Sequence, residues 1–287
     1  VKEINTCPVC GNTRLTDKLK VADHFGSKEV FHLLGCDKCQ TLLTTPIPDE
    51  KEIITYYKSN SYVSHGDSVS PIFDKAYKYI QTRNLRYKQR LIEKYTLGKT
   101  LFDYGCGAGT FLEYMQNKGW NVKGVEPDEQ ARQIALSKSL DITSLESLNG
   151  SFHVITLFHV LEHVHLLDDT LIKLINLLDK NGILILALPN HMSADAKYYK
   201  EYWAGYDVPR HLYHFSQKSI FALAKKFGLN IVATYPMYFD SYYVSLLSEK
   251  YLGSKNQILK AMKIGYQSNR KATKTKEYSS LIYVISK

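Results

Sequence analysis

Residues 101–111, LFDYGCGAGTF, constrain this chain more than any other stretch. An apolar pair and an acid lead to glycines at alternate positions, Gly105, Gly107 and Gly109, and then into a helical pattern over 110–118. A strand that turns at once into a helix needs residues without Cβ, because the turn visits positive φ and the backbone must pass close to a ligand. The helix start beyond it offers unpaired N–H groups and partial positive charge. The pattern predicts a small charged ligand at the carboxyl end of the first strand of a parallel sheet.

A dinucleotide fingerprint wants its third glycine at position 110, where Thr110 stands. Here the spacing is G-x-G-x-G, with Asp103 two residues ahead, and a second strand over 120–125 ends in Glu126. A carboxylate there accepts from two vicinal hydroxyls, as a ribose supplies. Glycines, leading acid and trailing acid together resemble motif I and its sequel in class I S-adenosylmethionine-dependent methyltransferases. The rival reading is a structural glycine turn in some other doubly wound sheet. The resemblance implies S-adenosylmethionine as cofactor. Asp103, Tyr104, Gly105, Cys106, Gly107 and Gly109 would form its turn, with Glu126 and Pro127 at the ribose and Phe158 closing the site.

The organisation fits. Strands are expected at 101–104, 121–125, 152–158 and 182–188, with a short one near 141–143, and helices at 109–118, 127–138 and 166–178. Asn181-Gly182 reads as the stop between the last helix and its strand. Ser216 caps a helix that Gly228 ends, and strands follow at 230–235 and 280–286. The fold class is therefore α/β, a doubly wound, mostly parallel seven-stranded sheet whose last strand is antiparallel, with a small N-terminal zinc ribbon. Three parts are expected: the ribbon at 1–48, an aromatic linker and long helix at 49–98, and the methyltransferase domain at 99–287. Two insertions, 191–215 and 237–278, fall where such enzymes build a substrate cover.

The ribbon rests on two C-x-x-C pairs, Cys7/Cys10 and Cys36/Cys39, separated by 25 residues. Such knuckles read as a tetrahedral thiolate zinc site, and four thiolates leave no open position, so the metal is structural. Paired disulfides are the alternative and need an oxidising compartment, whereas a cofactor-dependent domain points to the cytoplasm. Cys106, inside the glycine turn, reads as a small packing residue.

The net charge of +9 is uneven: residues 250–287 hold nine Lys/Arg and one Glu, leaving the rest near neutral. That tail steers an anionic substrate, binds an acidic surface, or is a solvated basic loop. No signal-peptide pattern is visible, and the longest apolar run, 183–188, is too short to span a bilayer.

His159, Glu162 and His163 spell H-x-x-E-H, a metalloprotease signature on a helix. Here it follows a strand, and Phe-x-x-Leu-Glu-His-Val resembles the corresponding segment of the ubiquinone-type O-methyltransferases. Some of those relatives hold a divalent cation on the Glu-His pair; otherwise the pair anchors the loop. The Asn/Asp-Pro-Pro-aromatic motif of base N-methyltransferases is missing, so base N-methylation is disfavoured. Methyl transfer needs alignment and, for a protonated nucleophile, a general base. His211 is the first candidate, with His163 and His65 as alternatives and His214 nearby; Arg210 would clamp a carboxylate or phosphate. The plainer reading has residues 207–216 capping a helix and packing on the sheet. A ribbon ahead of this domain resembles bacterial methyltransferases of polysaccharide and deoxysugar pathways, so the favoured acceptor is a small molecule, a saccharide or nucleotide-linked sugar. The alternatives are an RNA methyltransferase gripping phosphates through ribbon and tail, and a non-catalytic binding module. The latter is disfavoured by the intact Asp103, glycines and Glu126.

Overall fold

The computed structural model describes residues 4–57 and 71–287, with side chains from residue 79 onward in the second stretch. His65 lies outside the described residues.

The chain opens with β1 (Leu15–Ala22), β2 (Val30–Cys36) and β3 (Leu42–Thr45), then α1 (Ile53–Tyr57) and α2 (Pro71–Tyr95). Strand–helix alternation follows: β4 (Thr100–Tyr104), α3 (Thr110–Gln116), β5 (Asn121–Val125), α4 (Glu129–Ser137), β6 (Asp141–Thr143), β7 (Phe152–Phe158), α5 (Leu167–Leu177) and β8 (Leu178–Pro189). The first insertion contains α6 (Ala194–Tyr199) and β9 (Tyr213–His214), and α7 (Gln217–Lys226) and β10 (Asn230–Pro236) come next. The second insertion is a helical pair, α8 (Asp240–Tyr251) and α9 (Gln257–Thr275), before β11 (Ser280–Ser286).

The large sheet runs β10-β11-β8-β7-β4-β5-β6, with β11 antiparallel to both its neighbours and the other pairings parallel. The order in which strands are added to the sheet reverses between the parallel neighbours β4 and β7, which opens a crevice at their carboxyl ends. The central strands are covered on both faces, so they read as continuous apolar runs. Leu184, Leu186 and Leu188 face one core with Phe102, Ile155 and the helix α5 leucines. Ile183, Ile185 and Ala187 face the other, with Leu101, Val154 and Leu112. Strand β8 begins earlier than Asn181-Gly182 suggests. Leu178 already pairs with Phe152, and the register then slips so that Val154 meets Ile183.

The ribbon is not a free-standing lobe. Its strands form a second, antiparallel sheet in the order β1-β2-β3-β9, whose last member comes from the first insertion. Leu42 pairs with His214 and Leu43 with Tyr213. Cys7, Val9, Cys36 and Cys39 share a core with Leu212, Phe215 and Ile220. The second insertion is anchored by a buried carboxylate: Asp195 accepts from Trp203 Nε1 at 2.8 Å, Ser268 Oγ at 2.5 Å and Ser279 Oγ at 2.7 Å. Most of the basic tail is thus helix rather than the solvated loop considered above, because Ala261, Ile264, Gly265, Ser268 and Ala272 recur at helical spacing and bury one face.

Candidate functional site

The β4–α3 turn has the backbone its glycines foretell. Gly105, Gly107 and Gly109 take φ of 76°, 55° and 73°. A Cβ on Gly105 would sit 2.5 Å from Val160, while Gly107 faces open space, with nothing within 4 Å of its notional Cβ. The second position is where a ligand can approach the main chain. Glu126, at the end of β5, is set against this turn. Its Oε2 accepts from Gly107 N at 2.7 Å and its Oε1 from Asp128 N at 2.9 Å. Tyr104 ends β4, and Pro127 is exposed beside Glu126. Cys106 is buried, and burial pushes its thiol up to about 12, so it packs rather than reacts.

Asp103 is buried below the turn and accepts from Thr156 Oγ1 at 2.6 Å. Burial raises its pKa to about 7, with Thr156 and Lys88 opposing and Glu126 reinforcing the shift. Lys88, from α2, reaches over Phe158 with Nζ 3.6 Å from the ring centroid. Phe158 in turn meets Phe111 edge-on at 5.1 Å. The turn, Glu126, Asp103 and Phe158 therefore surround one end of the crevice, and burial depresses the Lys88 pKa beside them.

A second group gathers where β7 ends. A tight 3-10 turn, Leu161–His163, buries Glu162, and neither of its carboxylate oxygens has a hydrogen-bond partner among the described residues. Glu162, His163 and His211 each turn one donor atom inward, all within 4.8 Å of one another. His163 Nδ1 lies 3.0 Å from the Arg210 carbonyl and His211 Nδ1 2.9 Å from the Gly205 carbonyl. A carbonyl only accepts, so His211 Nδ1 donates to Gly205, while His163 Nδ1 also lies 3.0 Å from the Tyr57 hydroxyl. Burial and the neighbouring His211 lower His163 to about 4, leaving it neutral. The imidazoles stand edge to face at 4.6 Å. His214 is turned away, its Nε2 3.0 Å from Thr44 Oγ1.

Arg210 does not await an anionic substrate. It is 1 % exposed, and its guanidinium donates to Asp23 at 2.8 Å, Asp207 at 2.7 Å and the Tyr56 carbonyl at 3.0 Å. The expected clamp is corrected to an internal strut between ribbon and loop. His159, met in the sequence only as the first residue of the H-x-x-E-H pattern, has a place of its own here. It adopts φ 58°, unusual for a residue with a side chain, immediately after β7. Its ring bridges Asp240 at 3.2 Å and Glu162 at 3.6 Å. Burial alone would lower its pKa, but these two carboxylates raise it to about 9. Its place after a strand end was a local signal; Asp240, at the head of α8, had none.

The four knuckle cysteines are free thiols. Cys7 and Cys39 sulfurs lie 3.6 Å apart and Cys10 and Cys36 sulfurs 3.5 Å apart. Zinc–sulfur bonds of about 2.3 Å set tetrahedral edges of about 3.8 Å. The donor set thus suits zinc, and at these separations the sulfurs are not bonded to one another.

A seven-stranded sheet with its seventh strand reversed, and a glycine turn plus paired acids at its switch point, define the class I methyltransferase fold. Residues 77–234 match the family described as methyltransferase domain, and the chain belongs to it. Among curated relatives, the mitochondrial ubiquinone biosynthesis O-methyltransferase of Schizosaccharomyces pombe is 35 % identical over 103 residues, 31 % of this chain and 38 % of that one. The ubiquinone biosynthesis O-methyltransferase of Pelagibacter ubique is 26 % identical over 178 residues, covering 53 % and 74 %. The chain thus spans little more than a third of the Schizosaccharomyces relative. Magnesium protoporphyrin IX methyltransferase from Synechocystis, solved with bound SAH, shares the fold at a TM-score of 0.54 and 16 % identity, covering 83 % of this chain and 100 % of that one.

Proposed function

We propose that this protein transfers a methyl group from S-adenosylmethionine to a small-molecule acceptor. The open Gly107 backbone, held by Glu126 beside a buried Asp103, carries the reading. Asp103 would face the methionine ammonium and Glu126 the ribose hydroxyls, with Phe158 over the cofactor. The insertions 191–215 and 237–278 form the acceptor's cover, since Asp240 and the Glu162–His211 group converge on the end of β7.

His211 takes the acceptor's proton as the methyl arrives, because its Nε2 is not engaged by the Gly205 carbonyl that its Nδ1 meets. His163 is the alternate base, and His65 belongs to the same reading from outside the described residues. The same cluster suits a divalent cation, with Glu162, His163 and His211 as donors; a bound cation would supply Lewis acidity to an acceptor hydroxyl. The relatives' names concern ubiquinone biosynthesis and a porphyrin, and with Arg210 engaged internally no described residue singles out a saccharide phosphate. An acceptor of modest size bearing an acidic hydroxyl fits better than the nucleotide-linked sugar favoured on sequence. The free thiols at ligand spacing favour one zinc per chain and a reducing, cytoplasmic setting.

The test is single-turnover methyl transfer across a panel of phenolic, prenylated and sugar-nucleotide acceptors, with calorimetry for the cofactor. His211→Ala should slow turnover by about 10²–10⁴-fold while leaving cofactor affinity intact. Full turnover in that variant would reassign the base to His163 or His65. Failure of the parent protein to bind S-adenosylmethionine would end the whole reading.

A further inference from the structure

Helix α9 is divided lengthwise into three stripes. One is buried against the molecule through Ala261, Ile264, Gly265, Ser268 and Ala272. At about 100° per residue, Ile258, Met262, Tyr266 and Leu259 fall together on the next stripe. They are 52, 53, 59 and 72 % exposed. Lys263, Arg270, Lys274 and Lys260 occupy the third stripe, also exposed. No acidic residue occurs between Lys250 and Lys276. Tyr238 and Phe239 stand exposed at the entry to the adjoining α8.

Either stripe alone would be ordinary. Side by side on one helix they have a specific meaning, since water favours the basic stripe and disfavours the apolar one. A helix lying in the headgroup layer of a bilayer satisfies both, with apolar side chains in the acyl boundary and cations on lipid phosphates. We propose that the outer face of α9 docks on an anionic membrane surface, with Leu259, Met262 and Tyr266 inserted and Lys263, Arg270 and Lys274 on the headgroups.

Charge decides against the other occupants. A second copy packed about a two-fold axis would set this basic stripe against itself. An RNA would engage the basic stripe and leave Leu259 and Met262 in water. No described helix is long and apolar enough to cross a membrane, so the contact is peripheral.

The inference is independent of methyl transfer and is tested without it. The full chain is floated with vesicles of phosphatidylcholine alone or with about 30 % phosphatidylglycerol, at low and high salt. Binding to the anionic vesicles, weakened by salt, is expected. Leu259→Asp with Met262→Asp, and separately Lys263→Glu with Arg270→Glu, should each reduce it at least about tenfold. These positions are exposed, so thermal melting should stay at the parent value, and the charge pair serves if the apolar pair misfolds. Equal affinity for both vesicle types overturns the proposal, as does no binding to either. A dimer abolished by Leu259→Asp, or RNA binding lost in the charge pair but retained in the apolar pair, overturns it as well.

Discussion

Two buried carboxylates sit in two regions of this molecule and are treated in opposite ways. Asp23, at the ribbon–loop junction, accepts from the backbone of Phe25, Gly26 and Ser27, from the Ser27 hydroxyl and from Arg210. Burial alone would raise its pKa, yet the Arg210 guanidinium and these donors hold it below the usual range. Asp103, at the cofactor turn, is as deeply buried but has Thr156 and a distant Lys88 against the cost of desolvation, and its pKa climbs to about 7. The first carboxylate is complete in the folded chain. The second is left short of positive charge, as suits a group whose cationic partner arrives with a ligand.

That contrast can be broken by experiment, and the largest effect is expected at the ribbon. Elemental analysis should find one zinc per chain, and structural zinc in finger peptides is worth about 10–16 kcal/mol. Chelation should unfold β1–β3 and release β9 with them, abolishing acceptor turnover while leaving cofactor binding at the β4–α3 turn. Retained turnover after metal loss would show the two regions to be uncoupled. Next, Arg210→Met should destabilise the protein by about 3–5 kcal/mol in urea, because Asp23 is then buried without its cation. Adding Asp23→Asn should restore much of that loss; an additive loss would mean Asp23 is satisfied without Arg210.

At the cofactor turn, Glu126→Ala should weaken S-adenosylmethionine binding at least about tenfold, since charge-assisted hydrogen bonds contribute roughly 1.5–3 kcal/mol each. Calorimetry showing unchanged affinity would remove Glu126 from the ribose. The smallest effect is the sharpest in sign. A proton and the methionine ammonium compete for Asp103, so cofactor affinity should fall by up to about tenfold per pH unit as pH drops below about 7. Stability without cofactor moves the other way. A carboxyl raised from 3.8 to about 7 by folding holds its proton more tightly in the folded state, so its contribution declines as pH rises across that window. Asp23, being depressed, contributes stability that is lost as pH falls through the carboxylate range. Asp103→Asn should flatten the affinity profile.

The cofactor turn was legible because its determinants are contiguous: three glycines and an acid in seven residues, a second acid at the next strand end. The cysteine pairs were legible for the same reason. What remained hidden is assembled across the chain. Arg210 looks like a free anion clamp until Asp23, 187 residues away, is brought to it. His159 meets Asp240 only after the second insertion folds back over β7. Asn181-Gly182 punctuates the sequence, yet pairing with Phe152 carries the strand back to Leu178, tertiary contact overriding local propensity. The pairing of β3 with β9 has no local mark, because a two-residue strand is too short to show alternation.

That short strand sets a rule for how the protein can change. Leu42 and Leu43 meet His214 and Tyr213 in fixed register, and the Thr44 hydroxyl donates to the His211 carbonyl at 2.6 Å. A one-residue slip in a paired strand turns every side chain to the opposite face. Inserting or deleting a residue between Cys39 and Pro46 would thus re-aim Tyr213 and the histidines around it, as would the same change between His211 and Ser216. The two segments are keyed to each other like the halves of a template. A ribbon grafted from a relative should function here only if β9 is transplanted with it.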